Sequence, residues 1–245
     1  MRKLIPKSQV DLAAKEIVKL LQVEGFTTGR DNPLKIDPSN LAPNQENHLA
    51  KYTTLNSPEM MSRQDWIREN NPVKNVLEHE NIRQLMQNLL ENDNETGVAT
   101  CLDFKWLRAV GSGLYTGLHA DIFYVGHIST KMLTCWIPLI DISLQQGALV
   151  VAPGSHKGED WKGVQDLYKD LKPASGDGTK SGWLTEDPNT IIPIVKQQDT
   201  NEPLFKSTDY QAGDVVILDL RTIHITATNQ TDSWRLSCDT RWISL

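Results

Sequence analysis

The sequence predicts a mainly β protein, an antiparallel barrel or jelly roll with helices packed outside it. From about Gly97 onward, short apolar runs alternate with turn residues, and few helical segments lie between them. The front third instead shows the 3.6-residue periodicity of amphipathic helices. A length of 245 residues is sufficient for one large domain with its own hydrophobic core.

Two amphipathic helices are predicted in the front third. The first lies in SQVDLAAKEIVKLLQVEGF, where Ser8 stands at the N-cap, Asp11 falls in the first turn and Gly25 marks the end. The second lies in NVLEHENIRQLMQNLLEN, whose apolar residues share one face. A stretch rich in Asn and Pro, residues 29–56, separates them and is predicted to be a loop.

The whole chain, residues 1–245, is predicted to form a single domain. It has a helical part over about 1–95 and a β core over about 97–245. The candidate strands are VATCLDFKWLRAV, HADIFYV, MLTCWIPLI, GALVVAP, TIIPIV, DVVILDL, IHITATN and WRLSCDTRWI. A polar insertion over about 156–190 interrupts this series. Loops of this length inside a compact domain are usually functional or disordered, and we expect this one to cover the mouth of the barrel as a lid.

The composition restricts the classes of partner. Basic residues number 25 and acidic residues 31, a formal charge of −6, which predicts no nucleic-acid partner and no anionic membrane surface. No membrane span and no signal-peptide pattern are visible, so a cytoplasmic location is predicted. Cys101, Cys135 and Cys238 lack paired spacing and are interpreted as reduced, buried residues. A small-molecule substrate is the predicted partner, and no feature specifies an oligomeric state.

The stretch GLHADIFYVGH contains half of a candidate metal site. On an extended strand His119 and Asp121 point to the same face, and His224 in IHITATN offers a third ligand. Two imidazoles and one carboxylate that leave three coordination positions open are typical of non-haem Fe(II) oxygenases. A hydrogen-bonded core histidine is the alternative for His224, and a zinc hydrolase is the alternative for the whole site.

Two further residues predict a binding site for a 2-oxo acid. Thr226 lies two residues beyond His224, hence on the same face, and Arg235 lies eleven residues beyond it. An inward arginine beside a hydroxyl suits a carboxylate, because the guanidinium fork makes paired charge-assisted hydrogen bonds. A surface ion pair is the alternative for Arg235. The zinc alternative leaves both residues unexplained.

With these residues identified, the chain resembles the phytanoyl-CoA dioxygenase family of Fe(II)/2-oxoglutarate oxygenases. The likeness extends from about Asp103 to Trp242. The segments that carry it are KWLRAV, TGLHADIFYVG, TCWIPLIDISLQQGALVVAPGSHK, GWLTEDP and AGDVVILDLRTIHITATNQTDSWRLSCDTRW.

The resemblance implies a double-stranded β-helix, a cupin-like jelly roll, in which the three predicted ligands hold Fe(II). It implies that Arg235 and Thr226 bind 2-oxoglutarate and that O2 is the second co-substrate. Trp136, in TCWIP, matches a position that lines the co-substrate pocket in this family; a core aromatic is the alternative.

The resemblance also bears on the reaction and on substrate contacts. Related halogenases replace the carboxylate ligand with a small residue, so the presence of Asp121 implies hydroxylation or another two-electron oxidation. Trp183, in SGWLTEDP, and Tyr124 are expected to contact substrate, with loop packing as the alternative for Trp183. Lys105 is a candidate for substrate or co-substrate binding. His127 stands where several relatives carry arginine.

The predicted function is hydroxylation of a C–H bond in a small organic metabolite or natural-product intermediate, with release of succinate and CO2. The insertion contains five lysines against seven acidic residues, so it offers no basic patch for the phosphates of coenzyme A. An acyl-CoA hydroxylase of the same mechanism is one alternative. A metal-binding jelly roll without turnover is the other.

Overall fold

The computed structural model describes residues 1–23, 34, 64–90, 99–102, 105–167, 182–196 and 203–244. The helices are α1 (Lys7–Val23), α2 (Gln64–Glu69), α3 (Asn71–Leu77), α4 (Glu80–Leu90), α5 (Ile122–Val125) and α6 (Lys162–Leu167). The strands are β1 (Ala99–Cys101), β2 (Trp106–Val110), β3 (Met132–Pro138), β4 (Leu149–Val151), β5 (Val216–Asp219), β6 (His224–Thr226) and β7 (Arg235–Ser244). The predicted stop at Gly25 and, apart from residue 34, the predicted loop over 29–56 lie outside the described residues.

The strands form two antiparallel sheets. The larger follows the order β1–β7–β3–β5, with β2 also paired to β7, and the smaller joins β4 to β6. Strand β7 organises the larger sheet because β1 and β2 pair with its two halves along one edge while β3 pairs along the other. The prediction of a mainly antiparallel β protein with helices is confirmed.

The largest hydrophobic core lies between the helices and one face of the larger sheet. Val10, Ile17 and Leu21 of α1 are buried in it together with Leu236 and Trp242 of β7. No helix in the described parts of the chain is both long and apolar enough to cross a membrane.

The predicted helix boundaries need two corrections. Helix α1 begins at Lys7, and the carbonyl of Pro6 accepts from the Val10 N–H at 3.3 Å, so Ser8 lies inside the helix and is not its cap. The second predicted helix is two helices. Helix α3 starts after Asn70, whose side chain accepts from the N–H of Val73, and α3 ends before α4 begins.

Two predicted strands are wrong. In HADIFYV only a single bridge forms, and the backbone enters α5 at Asp121 with φ −63° and ψ −21°. The run is short and its first three residues are all buried, a setting in which periodicity does not separate strand from helix. TIIPIV forms short 3₁₀ turns, Pro188–Thr190 and Ile192–Ile194, because Pro193 has no N–H to donate to a strand ladder.

Strand β7 carries a row of polar side chains on the face of the larger sheet that points away from the helices. Arg235, Ser237, Asp239 and Arg241 alternate with the residues that pack against the helices, and all four are buried. A strand with a charged, buried face requires partners for those charges. The candidate site supplies them.

Candidate metal centre

Three buried side chains converge on one point in front of this polar face. The ligand atoms of His119, Asp121 and His224 all lie within 4.8 Å of one another. The Nε2 atom of His119 lies 3.7 Å from Oδ1 of Asp121, and Nε2 of His224 lies 3.8 Å from the same oxygen. The structure therefore brings together the three side chains that the sequence pattern selected.

The backbone sets the positions of the two histidines. His119 and His224 are partners in an antiparallel bridge, and each N–H donates to the carbonyl of the other at 2.9 Å. Directly opposite residues in such a pair project to the same face. Their ring centroids are 4.1 Å apart. Asp121 joins them from the start of α5, where the sequence predicted a continuing strand.

Hydrogen bonds select the ring nitrogen that each histidine offers. Nδ1 of His119 lies 2.7 Å from the carbonyl oxygen of Gly117, and Nδ1 of His224 lies 2.9 Å from that of Thr222. Because a carbonyl only accepts, Nδ1 carries a proton in both rings, which leaves Nε2 as the nitrogen directed to Asp121. Burial, reinforced by the neighbouring His224, lowers the pKa of His119 to about 3, so this ring is neutral near pH 7. Both rings are thus arranged as metal ligands.

The two oxygens of Asp121 have different surroundings. Oδ2 accepts from Oγ1 of Thr134 at 2.5 Å and from Nη2 of Arg241 at 3.1 Å, while Oδ1 faces the imidazoles. Burial alone would raise the pKa of Asp121, but Arg241 and the two histidines hold it below its usual range. The donor set is therefore two imidazole nitrogens and one anionic oxygen, a combination that suits Fe(II).

Arg235 is fully buried at the start of β7 and only partly hydrogen-bonded. Its Nη1 donates to the carbonyl of Gly147 at 3.1 Å, while Nε and Nη2 are buried without a partner among the described residues. Burial, together with nearby Arg108, lowers the pKa of Arg235 to about 9 against the opposing effect of Asp239. Two unsatisfied donors on a buried guanidinium fit an anionic ligand that binds there.

Thr226 and Trp136 line the same pocket as the three ligands, and both are buried. The pocket contains about 360 Å³ of non-protein space, part of it open to solvent. Oγ1 of Thr226 accepts from the N–H of Thr116 at 2.7 Å. The ring of Trp136 packs edge-on against Tyr210, with centroids 5.0 Å apart, so it is both a wall of the pocket and part of a core.

Trp183 and Tyr124 lie beside the segment that carries His119. A Cβ atom on Gly117 would stand 2.3 Å from Cε3 of Trp183, so the indole occupies the space that the glycine leaves. Tyr124 makes an edge contact with the His119 ring at 5.7 Å between centroids, and burial raises its pKa to about 12. Neither is among the described residues that line the pocket.

Lys105 lies elsewhere. Its Nζ stands 3.1 Å from Oε1 of Glu78 and donates to the carbonyl of Leu102 at 3.2 Å, with only 3% of the side chain exposed. This ion pair connects the end of α3 to the start of β2. The Lys105 ammonium is therefore directed to a half-buried carboxylate at the end of α3, and its substrate or co-substrate contact stays a prediction. His127 is exposed.

Three charged residues at the site were missed by the sequence reasoning. Nε and Nη2 of Arg108 contact the two oxygens of Asp239 at 2.6 and 3.3 Å, and Arg241 contacts both Asp239 and Asp121. All three line the pocket. The signal for two of them was present, because an inward Arg235 places every second residue of its strand on the same face.

Comparisons with known proteins give one family match and several similar solved structures. A family model described as phytanoyl-CoA dioxygenase matches residues 15–237. No curated protein matches the chain. Among solved structures, the α-ketoglutarate-dependent carbocyclase SnoK of nogalamycin biosynthesis has 19% identity and a TM-score of 0.51, over 73% of this chain and 61% of that one.

Two further solved structures are similar. The α-ketoglutarate-dependent epimerase SnoN of nogalamycin biosynthesis has 20% identity and a TM-score of 0.46, over 73% of this chain and 60% of that one. EvdO2 from Micromonospora carbonacea var. aurantiaca, complexed with 2-oxoglutarate, has 16% identity and a TM-score of 0.45, over 74% and 64%. The chain thus spans 60–64% of the length of these three proteins. At this identity the similarity to SnoK shows the fold alone.

Proposed function

Because the chain belongs to the phytanoyl-CoA dioxygenase family of iron- and 2-oxoglutarate-dependent oxygenases, we propose that it hydroxylates a C–H bond of a small organic molecule. Succinate and CO2 are the accompanying products of 2-oxoglutarate. One observation carries the proposal: two imidazoles and a carboxylate converge in a pocket that Thr226 also lines, and the next strand begins with a buried arginine, Arg235, that has two donors without a partner among the described residues. A zinc hydrolase would have no use for that arginine.

Within this proposal each ligand residue has a defined atom for the metal. Nε2 of His119 and His224 and Oδ1 of Asp121 hold iron on one face, since the other nitrogens and the other carboxylate oxygen already have hydrogen-bond partners. When bound, iron supplies the activation of O2 that is coupled to decarboxylation of 2-oxoglutarate. The protein orients the ligands and, because all three residues are buried, keeps bulk water away from them.

We assign 2-oxoglutarate to Arg235, Thr226 and Trp136. Nε and Nη2 of the guanidinium offer a fork for the distal carboxylate, and a charge-assisted pair is strong where water is excluded. The hydroxyl of Thr226 uses its oxygen to accept from Thr116, so its proton is available to donate to the same carboxylate. Trp136 forms an apolar wall for the carbon chain.

We interpret the two sheets as the two layers of a jelly roll within one domain. The support is that the pocket is lined from both: Leu149 and Thr226 belong to the smaller sheet, while Trp136 and Leu218 belong to the larger. The helices join the same domain because their core is shared with β7. The lid over residues 156–190 remains a prediction, supported at its end by Trp183, which packs on the segment before His119.

Retention of Asp121 favours oxygen insertion over halogenation, because the position that a halide would need is taken by a carboxylate. The side chain is also firmly held, with Oδ2 bonded to both Thr134 and Arg241. For the substrate we propose a small metabolite or natural-product intermediate. The support is the excess of acidic over basic residues in the insertion, which offers little to the phosphates of an acyl-CoA.

Turnover of 2-oxoglutarate tests the proposal. Protein reconstituted anaerobically with Fe(II) and 2-oxoglutarate should form succinate when O2 is admitted, faster when the true substrate from a metabolite panel is present. That substrate should gain one oxygen atom by mass spectrometry. Asp121→Ala should abolish succinate formation, while His127→Ala, which changes an exposed histidine, should not. Absence of succinate from the wild-type protein, or undiminished succinate from Asp121→Ala, would refute the proposal.

A further inference from the structure

Two residues on neighbouring strands contact the same oxygen of the carboxylate ligand. Thr134 of β3 and Arg241 of β7 are directly paired in the register of the larger sheet. Oγ1 of Thr134 donates to Oδ2 of Asp121 at 2.5 Å, and Nη2 of Arg241 donates to it at 3.1 Å. Only 4% of the Arg241 side chain is exposed. A pair of donors at matched positions therefore covers one of the two oxygens.

The other oxygen is left for the metal. Oδ1 of Asp121 is the atom that faces Nε2 of His119 and of His224, at 3.7 and 3.8 Å. A carboxylate in general binds a cation through one oxygen or through both. Here the second mode would require Oδ2 to give up two hydrogen bonds, one of them from a charged donor, in a site that water reaches poorly.

We propose that Arg241 is a positioning residue that, together with Thr134, holds Asp121 as a ligand through one oxygen only. The inference rests on the proposed function, because it concerns the same metal. A carboxylate that used both oxygens would take one of the three positions that the facial ligand set leaves open. Those three are needed for a chelating 2-oxo acid and for O2, so the constraint on Oδ2 keeps the reaction possible.

Arg241 is itself held in place by a chain of alternating charges. Its Nη1 contacts Oδ2 of Asp239. The same carboxylate also accepts hydrogen bonds from Nε and Nη2 of Arg108. The order Arg108, Asp239, Arg241, Asp121 gives each buried charge at least one opposite neighbour, which removes most of the cost of burying it. Burial alone would lower the pKa of Arg241, but the two carboxylates raise it above its usual value, so the guanidinium stays charged.

The geometry demands arginine at this position. Nη1 and Nη2 address two different carboxylates at once, those of Asp239 and Asp121. A lysine ammonium is a compact charge on a flexible stem and lacks the planar fork that spans two acceptors. Arg241→Lys therefore preserves the charge and loses the bridge, which separates positioning from simple electrostatics.

The test measures the metal site without turnover. Co(II) is titrated into wild-type protein, Arg241→Lys and Thr134→Val, and both affinity and visible absorption, which reports Co(II) coordination, are recorded. Loss of outer partners of metal ligands typically lowers metal affinity about 10- to 100-fold. We expect a loss in that range and a changed Co(II) spectrum for Arg241→Lys, with a smaller change in the same direction for Thr134→Val. Arg221→Lys, at an exposed arginine paired with Asp219, is the matched control.

Unchanged Co(II) affinity and spectrum in both variants would overturn the proposal. If Arg241→Lys does not fold, Thr134→Val decides alone, because valine is close in shape to threonine and removes only the hydroxyl donor. Full Co(II) affinity and spectrum in Arg241→Lys would show that charge, not bridging geometry, is what matters, and would also overturn it. The proposed function fails separately, through absence of succinate from the Fe(II)-loaded wild-type protein.

Discussion

Replacement of Arg235 by methionine should change stability and co-substrate binding in opposite directions. In the free protein the guanidinium is fully buried, and within the described part of the chain only its Nη1 is hydrogen-bonded, to the carbonyl of Gly147. Burial depresses the pKa of Arg235 from 12.5 to about 9. Because the folded pKa of this base lies below its unfolded value, the cost of burying the charge is fully present at neutral pH. It declines as the pH rises past the folded value of about 9 and is gone above the unfolded value of 12.5.

The magnitudes follow from these contacts. A drop from 12.5 to about 9 corresponds to roughly 5 kcal/mol at 1.36 kcal/mol per pKa unit. Loss of the hydrogen bond to Gly147 leaves a buried carbonyl unpaired and returns about 1–3 kcal/mol of that. We expect Arg235→Met to raise the free energy of unfolding by about 2–4 kcal/mol. Because the variant lacks the buried charge that pairs with the distal carboxylate, it should bind 2-oxoglutarate more weakly by about 2–5 kcal/mol, roughly 30- to 4,000-fold.

Two measurements check this prediction. Denaturant unfolding of the metal-free protein gives the change in stability, and calorimetric titration of 2-oxoglutarate in the presence of Mn(II) gives the change in affinity. Arg221→Met, at an exposed arginine, is the control and should alter neither. A variant that is less stable than the wild type, yet binds 2-oxoglutarate within about threefold of it, would refute both the burial argument and the assignment of the co-substrate site.

Three other substitutions test separate contacts. Gly117→Ala places a Cβ 2.3 Å from the Trp183 ring, so the indole must move; we expect a shifted tryptophan emission and a loss of about 1–3 kcal/mol in unfolding free energy. Although burial alone raises the pKa of Asp214, two backbone N–H groups and an arginine hold it low. Asp214→Asn should therefore lower the free energy of unfolding. The full loss should be seen above about pH 4 and a progressively smaller loss at lower pH, measured by unfolding at several pH values. Lys105→Met should lower stability because the ion pair with half-buried Glu78 is lost, yet leave the Kd for 2-oxoglutarate unchanged; a weakened Kd would instead support a role of Lys105 in the site.

Much of the fold and the metal ligands could be predicted because they rest on local patterns. Alternation places Thr226 on the same face as His224, and apolar periodicity locates the helices. The strand assigned to Asp121 failed because the residues from Leu118 to Asp121 are all buried, so no in–out alternation marks where the strand ends. The ligand itself was still correctly grouped, since a residue two positions beyond His119 reaches the same point from the first turn of α5.

The contacts that support the ligands depend on long-range register, which local sequence does not reveal. Arg241 lies beside Asp121 because β7 pairs with β3 so that Thr134 is directly opposite it. A slip of β7 by one residue would turn Arg241 to the helical core. The contact of Lys105 also depends on tertiary structure, because its partner Glu78 lies just after the end of α3, whose position local sequence does not reveal.

Anaerobic titration of Fe(II) into the protein with 2-oxoglutarate, followed by visible absorption, tests the central claim most directly. If His119, Asp121 and His224 hold iron and Arg235 holds the co-substrate, a weak charge-transfer band should grow and saturate at one equivalent of Fe(II). It should be absent when 2-oxoglutarate is omitted. Failure of the band to appear in the wild-type protein, or its persistence in Asp121→Ala, would contradict the account.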